Sequence, residues 1–147
     1  MSVKQEKVLQ ALRRQVSEQP LAPKMGLDLI EVSPGRSKVT MQTGSWCLNI
    51  LGGIHGTAIF ALIDEAFQAA CNAYGTVAVA LNMTLTFHQA PQVGEVLTAA
   101  AQELHRGGRT ATYLISVTDS ENRLIATCQA LAYRKKERLP FLPDDAA

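Results

Sequence analysis

Thr57-Ala58-Ile59-Phe60-Ala61-Leu62-Ile63-Asp64-Glu65-Ala66-Phe67-Gln68-Ala69-Ala70-Cys71-Asn72-Ala73 is the stretch on which the fold turns. Its richness in Ala, Ile, Leu and Phe predicts a helix. At about 100° per residue, Asp64, Glu65, Gln68 and Asn72 fall within roughly a quarter-turn, and Thr57 projects onto the same side. The rest of the circumference is apolar. A helix tolerates that only if a sheet wraps it or a partner covers it, so a sheet curled around this one helix follows.

Immediately upstream, residues 44–56 mix Gly44, Gly52, Gly53 and Gly56 with Asn49 and His55, a loop that delivers polar groups to the start of the helix. Before it, Leu27 to Val32 and Lys38 to Met41 alternate as strands do around the turn Ser33-Pro34-Gly35, which predicts a hairpin. The chain opens with Ser2-Val3-Lys4-Gln5, the form of a capping box. Val8, Leu9, Leu12 and Val16 follow at helical spacing, so an amphipathic helix runs to about Glu18, where Pro20 and Pro23 end it.

Downstream, Val77 to Phe87, Val96 to Leu104, Thr110 to Thr118 and Leu124 to Tyr133 read as four strands separated by turn signals, which suggests an antiparallel meander. The fold class is α+β: a curved antiparallel sheet around a central helix, with an extra N-terminal helix. One domain spans 1–147, with the helix in 1–19 and a polar tail in 136–147.

Composition narrows the function. With 147 residues and a formal net charge of +1, the chain has a core for one domain and lacks the basic excess that phosphate-backbone binding needs, so nucleic acid is not expected. Asp64 and Glu65 interrupt the longest apolar run, so no membrane span is expected either. The first residues carry charge without an apolar signal region, making the cytoplasm the expected location. Cys47, Cys71 and Cys128 are odd in number and widely spaced, and His55, His88 and His105 match no helical ligand pair. Neither a disulfide framework nor a metal site is expected.

Two readings of the polar stripe stand side by side. It is the solvated edge of a buried helix, or it faces a cleft or subunit interface where partial burial raises a carboxylate's pKa and readies Asp64 or Glu65 as base or nucleophile. The glycine-rich entry favours the second, since unpaired N–H groups at a helix N-terminus stabilise a developing oxyanion. A Cys47–His55 nucleophile pair is a further, weaker arrangement.

Asn49-Ile50-Leu51-Gly52-Gly53-Ile54-His55-Gly56, followed by Ala58 to Phe67 with its Asp64, resembles the hotdog-fold acyl-CoA thioesterases of the phenylacetic acid degradation type. Phe87-His88-Gln89-Ala90-Pro91, Val93-Gly94-Glu95 and His105-Arg106-Gly107-Gly108-Arg109-Thr110 extend the resemblance over about residues 25–135. It implies a homodimer joined edge to edge through the strand after the helix, commonly a homotetramer, with active sites between subunits. Asp64 would be the catalytic carboxylate. Asn49, His55 and the Gly56 N–H would come from the opposing protomer, Gly56 polarising the thioester carbonyl, Asn49 orienting the nucleophile and His55 bracing the loop.

The substrate implied is an acyl-CoA or aryl-CoA ester, with coenzyme A entering only as part of it and no separate cofactor. Arg106 and Arg109 flank a Gly-Gly turn, as solvated charges or as partners of a CoA phosphate. Phe60 and Phe67, with Ile63, are core residues or walls of the acyl pocket. The chain departs from the family pattern in reading His55-Gly56-Thr57 where His-Gly-Gly is usual. It also has no hydroxyl in Ala78-Val79-Ala80-Leu81, which makes Gln68 the substitute for holding water. A hotdog hydroxyacyl-thioester dehydratase pairing His55 with Asp64, and a non-catalytic acyl-CoA binding module, are the alternatives.

Overall fold

The computed structural model describes residues 1–146. Helix α1 spans Val3–Glu18 and is followed by a single turn, α2, at Leu21–Lys24. The hairpin β1 (Leu27–Ser33) and β2 (Arg36–Gln42) leads through the loop to α3 (Gly56–Asn72). Strands β3 (Thr76–Phe87), β4 (Val96–Arg106), β5 (Thr110–Thr118) and β6 (Leu124–Arg138) complete a six-stranded sheet in the order β1-β2-β4-β5-β6-β3, every pairing antiparallel.

That order corrects the four-strand meander. β4, β5 and β6 do form one, but β3 pairs with β6 and lies at the far edge of the sheet. The reason is the helix. α3 contacts all six strands, so it leaves the hairpin at one edge, crosses the sheet and delivers the chain to the other. The second edge of β3 therefore has no partner strand among the described residues.

The core explains why this helix is so apolar. Leu62, Ile63, Ala66, Phe67 and Ala70 are essentially inaccessible, packed with Val39, Met41, Leu97, Ile115, Val117 and Cys128 of the sheet. Each large side chain so buried contributes about 1.5–3 kcal/mol. Ala99, Ala101, Ala126 and Ala130 share that cluster and keep the sheet surface low beneath the helix. Buried Ser37 ties the two layers by donating to the Ala66 carbonyl at 2.6 Å.

α1 lies outside this core, its Leu9, Leu12 and Val16 clustered with Val32 and with Ala69 and Ala73. Ser2 caps it by accepting from the Gln5 amide at 3.2 Å, but the Gln5 side chain donates to the Ala73 carbonyl at 2.9 Å, so half of the capping box serves to dock the helix instead. The C-terminal stretch is less polar in behaviour than its composition suggested. β6 continues five residues past Tyr133, and Leu139, Leu142 and Ala146 are buried with Val8 of α1. Among the described residues, no helix is long and apolar enough to cross a membrane.

Candidate active site

The loop before α3 is built around Asn49. Its Oδ1 accepts from the amides of Leu51, at 2.9 Å, and Gly53, at 3.1 Å, while its own amide donates to the Gly53 carbonyl at 2.8 Å. Gly52 takes φ +76° at the tip, a conformation that suits glycine. The carbonyl end of Asn49 is thus spent on the turn, leaving its NH2 group as the end able to meet a ligand.

His55 is the N-cap of α3. Its Nδ1 accepts from the Thr57 amide at 3.0 Å, and its backbone carbonyl accepts from Ala58 at 3.0 Å and Ile59 at 3.4 Å. A neutral ring that accepts at Nδ1 carries its proton on Nε2, so His55 braces the loop and presents a donor rather than a base. The first-turn amides of Thr57, Ala58 and Ile59 are satisfied in this way. Gly56, first in the helix, has no intrahelical acceptor by its position, and among the described residues nothing accepts from its N–H.

A cavity of about 360 Å³ opens against that amide, walled by Ile54, Ile59, Phe87 and Pro91. The Phe87 ring lies so near Gly56 that a Cβ there would meet it at 3.3 Å. Phe87 was legible only as part of a motif; its contact with Gly56, 31 positions away, depends on β3 crossing behind the helix.

Asp64 and Glu65 have opposite surroundings. Glu65 is buried, and its carboxylate accepts from the side-chain amides of Gln19, at the end of α1, and of Gln68 at 2.8 Å. Burial lifts its pKa, opposed by those two hydrogen bonds and reinforced by the Asp64 charge. Asp64 is reachable by solvent, and among the described residues no side chain or amide donates to it. Even so, its pKa is raised, and the cause is the water withdrawn by the elements crowded around the helix.

Several expected contacts are replaced by others. Gln68 does not turn to Asp64: its Nε2 donates to Glu65 and, at 3.1 Å, to Gln19, because both acceptors lie within reach on the α1 side. Phe67 is buried edge-on against Tyr113, with ring centroids 5.4 Å apart, so it is core rather than pocket wall within this chain. Phe60 is exposed. Arg106 stands 3.9 Å above the Tyr74 ring and 3.7 Å from Glu103, whose carboxylate accepts from Tyr74 at 3.0 Å and Tyr113 at 2.7 Å. That network lies beyond the C-terminal end of α3, about 25 Å along the axis from Gly56. Arg109 is exposed at its turn. The Cys47 thiol is buried and points to the Gly44 carbonyl, and the Thr57 amide occupies Nδ1 of His55. Among the described residues, no group of three His, Cys, Asp or Glu side chains is arranged to hold a metal ion.

Gly56 and Asp64 are eight residues apart, about 12 Å along one helix at 1.5 Å per residue. A free N–H and an unengaged carboxylate thus stand on one helix enclosed by a curved antiparallel sheet. The chain belongs to the thioesterase superfamily, whose family model matches residues 51–126. Its class is therefore thioester hydrolase.

Acyl-coenzyme A thioesterase PaaI of Escherichia coli K12 is 34% identical over 113 residues, covering 77% of this chain and 81% of that protein. A protein of Archaeoglobus fulgidus classed by name among the esterases is 39% identical over 112 residues, 76% of this chain and 73% of its own. The solved structure of the E. coli PaaI protein from the phenylacetic acid degradation operon superposes with a TM-score of 0.86 at 31% identity, covering 90% of this chain and 96% of that one.

Proposed function

We propose that this protein hydrolyses acyl-CoA or aryl-CoA thioesters to the free acid and coenzyme A, with Asp64 as general base or nucleophile and the Gly56 N–H polarising the thioester carbonyl. The observation that carries this reading is the separation of the two groups. Both must lie about 3 Å from atoms of one thioester, and about 12 Å of helix divides them within a chain. The remedy is a second copy.

The unpaired edge of β3 supports that assembly, as do the exposed apolar side chains of Ile50, Leu51, Phe60, Val79, Leu81 and Phe87. In a homodimer joined through β3, Asp64 of one copy faces Gly56, Asn49 and His55 of the other; two such dimers would make a homotetramer. Burial in the interface withdraws more water from Asp64 and strengthens both the carboxylate and the N–H.

The chemistry asks for little else. A thiolate leaves readily, so one donor on the carbonyl oxygen and one carboxylate to activate water or attack carbon suffice, without a cofactor beyond the CoA carried by the substrate. The Asn49 NH2 orients the attacking group. The hydrogen bond at His55 Nδ1 disfavours the dehydratase alternative, which needs that histidine as a base. The cytoplasm, where acyl-CoA esters are met, is the proposed location.

A thiol-release assay across short-chain and aryl-CoA esters tests the reading. Turnover by the native protein and its loss in Asp64→Asn are the expected results. Tight CoA-ester binding without release would replace hydrolysis by the binding-module alternative.

A further inference from the structure

Phe60 stands on α3 four residues after Gly56 and four before Asp64. At about 100° per residue, each step of four turns the helix by about 40° beyond a full circle. Phe60 therefore bisects the arc from the amide to the carboxylate and lies about 6 Å along the axis from each. Among the described residues it is also the one large apolar side chain of α3 that is exposed, at 39%, whereas Ile59, Leu62, Ile63 and Phe67 are buried. It belongs to none of the core clusters. The helix thus sets a phenyl ring at the centre of the face that carries both reactive groups, and the core of the chain does not use it.

Symmetry decides what that ring meets. In a dimer of equivalent copies, a contact of one residue with a second is repeated as the second with the first. Asp64 of one copy facing Gly56 of the other therefore brings Gly56 of the first to Asp64 of the second. Only antiparallel α3 helices satisfy both contacts, since a parallel pair would set Gly56 against Gly56 and leave each acid without an amide. The residue midway between the two is then opposite itself.

We infer that Phe60 meets the Phe60 of a second copy on the two-fold axis, and that this pair of rings is the wall, common to both active sites, at which the acyl group ends. The inference rests on the thioesterase reading with its shared site and adds to it the side chain that closes that site. The two sites lie about 12 Å apart along the helices, with the rings between them. The CoA arm of the ester carries phosphates, whose burial against apolar rings would be costly, so that arm leads out to water. The acyl group is the arm that can face the rings.

Two variants test this, both at an exposed side chain whose replacement the fold tolerates. Phe60→Cys places a thiol at the axis, while Cys47, Cys71 and Cys128 are buried. A short bis-maleimide should join Phe60→Cys chains into covalent dimers on a denaturing gel and leave the native protein unjoined. Phe60→Ala extends each site toward the axis, so its ratio of kcat/KM for decanoyl-CoA over butanoyl-CoA should rise at least about tenfold. Phe60→Cys chains that stay single, in a protein that is dimeric by light scattering and still releases thiol, would overturn the ring pair. Covalent dimers of Phe60→Cys with an unchanged ratio in Phe60→Ala would overturn the acyl wall. A native protein that is monomeric, or that releases no thiol from any ester, would instead overturn the shared-site thioesterase reading beneath.

Discussion

The two sides of α3 put neighbouring carboxylates to different use. On the α1 side, Glu65 is buried and its oxygens are occupied by Gln19 and Gln68; it fastens the N-terminal helix to the central one. On the other side Asp64 is exposed, and among the described residues nothing donates to it. A carboxylate whose acceptor sites are filled by amides cannot take up a proton from water without losing those bonds, whereas an unengaged one of raised pKa is free to do so. On the proposed reading, one step of about 100° along the helix separates a structural acid from the reactive one.

The largest effect should come from the reactive side. Asp64→Asn keeps the shape and removes the base, and kcat/KM in thiol release should fall by about 10³-fold or more. Next, Gly56→Pro deletes the amide proton at the first helical position, where proline's backbone fits and the extended His55 (φ −68°, ψ 132°) suits a following proline, while its Cβ, 3.3 Å from the Phe87 ring, requires that ring to give by a few tenths of an ångström. Activity should fall about 10²–10³-fold with the fold retained by circular dichroism, as for loss of one oxyanion donor. The structural side should respond in the opposite manner. Glu65→Ala leaves the Gln19 and Gln68 amides without their acceptor and should cost about 1–3 kcal/mol in urea unfolding, while the activity of the folded fraction changes by less than about fivefold. A Glu65→Ala protein that is stable but inactive would reverse the two roles.

The smallest expected effect concerns pH. Asp64 titrates above its ordinary value of 3.8 in the native protein, so ionising it costs native stability as pH rises from 3.8 through the raised native pKa. Asp64→Asn should therefore have a higher Tm than the native protein above that window. Below 3.8, where both states carry the protonated acid, the difference should vanish. A Tm gain that persisted at pH 3 would point to packing instead of charge.

Much of this was legible in the sequence, and the failures have a common cause. The helix around Leu62 to Phe67 and its polar stripe follow from local spacing, since a helix fixes which residues share a face; that His55 caps the helix, and that Glu65 is bonded while Asp64 is not, came only with the structure. Superfamily membership was legible from Asn49 to Asp64. The place of β3 was not, because strand adjacency depends on where α3 delivers the chain, not on the order of the strands. Gln68 was assigned by its spacing from Asp64, yet Glu65 and Gln19 claim its amide, and Gln19 belongs to another element. Arg106 was judged from its turn, while Tyr74 and Glu103, from a distant loop and its own strand, hold it at the far end of the helix.

Subunit complementation tests the shared site most directly. Asp64→Asn and Gly56→Pro proteins, each inactive alone, are co-expressed with different affinity tags, and the doubly tagged assembly is isolated and assayed for thiol release. In a mixed dimer one site joins the intact Asp64 of one chain to the intact Gly56 of the other, so about half the native activity per dimer should return. Mixed dimers no more active than their parents would contradict a site built from two copies.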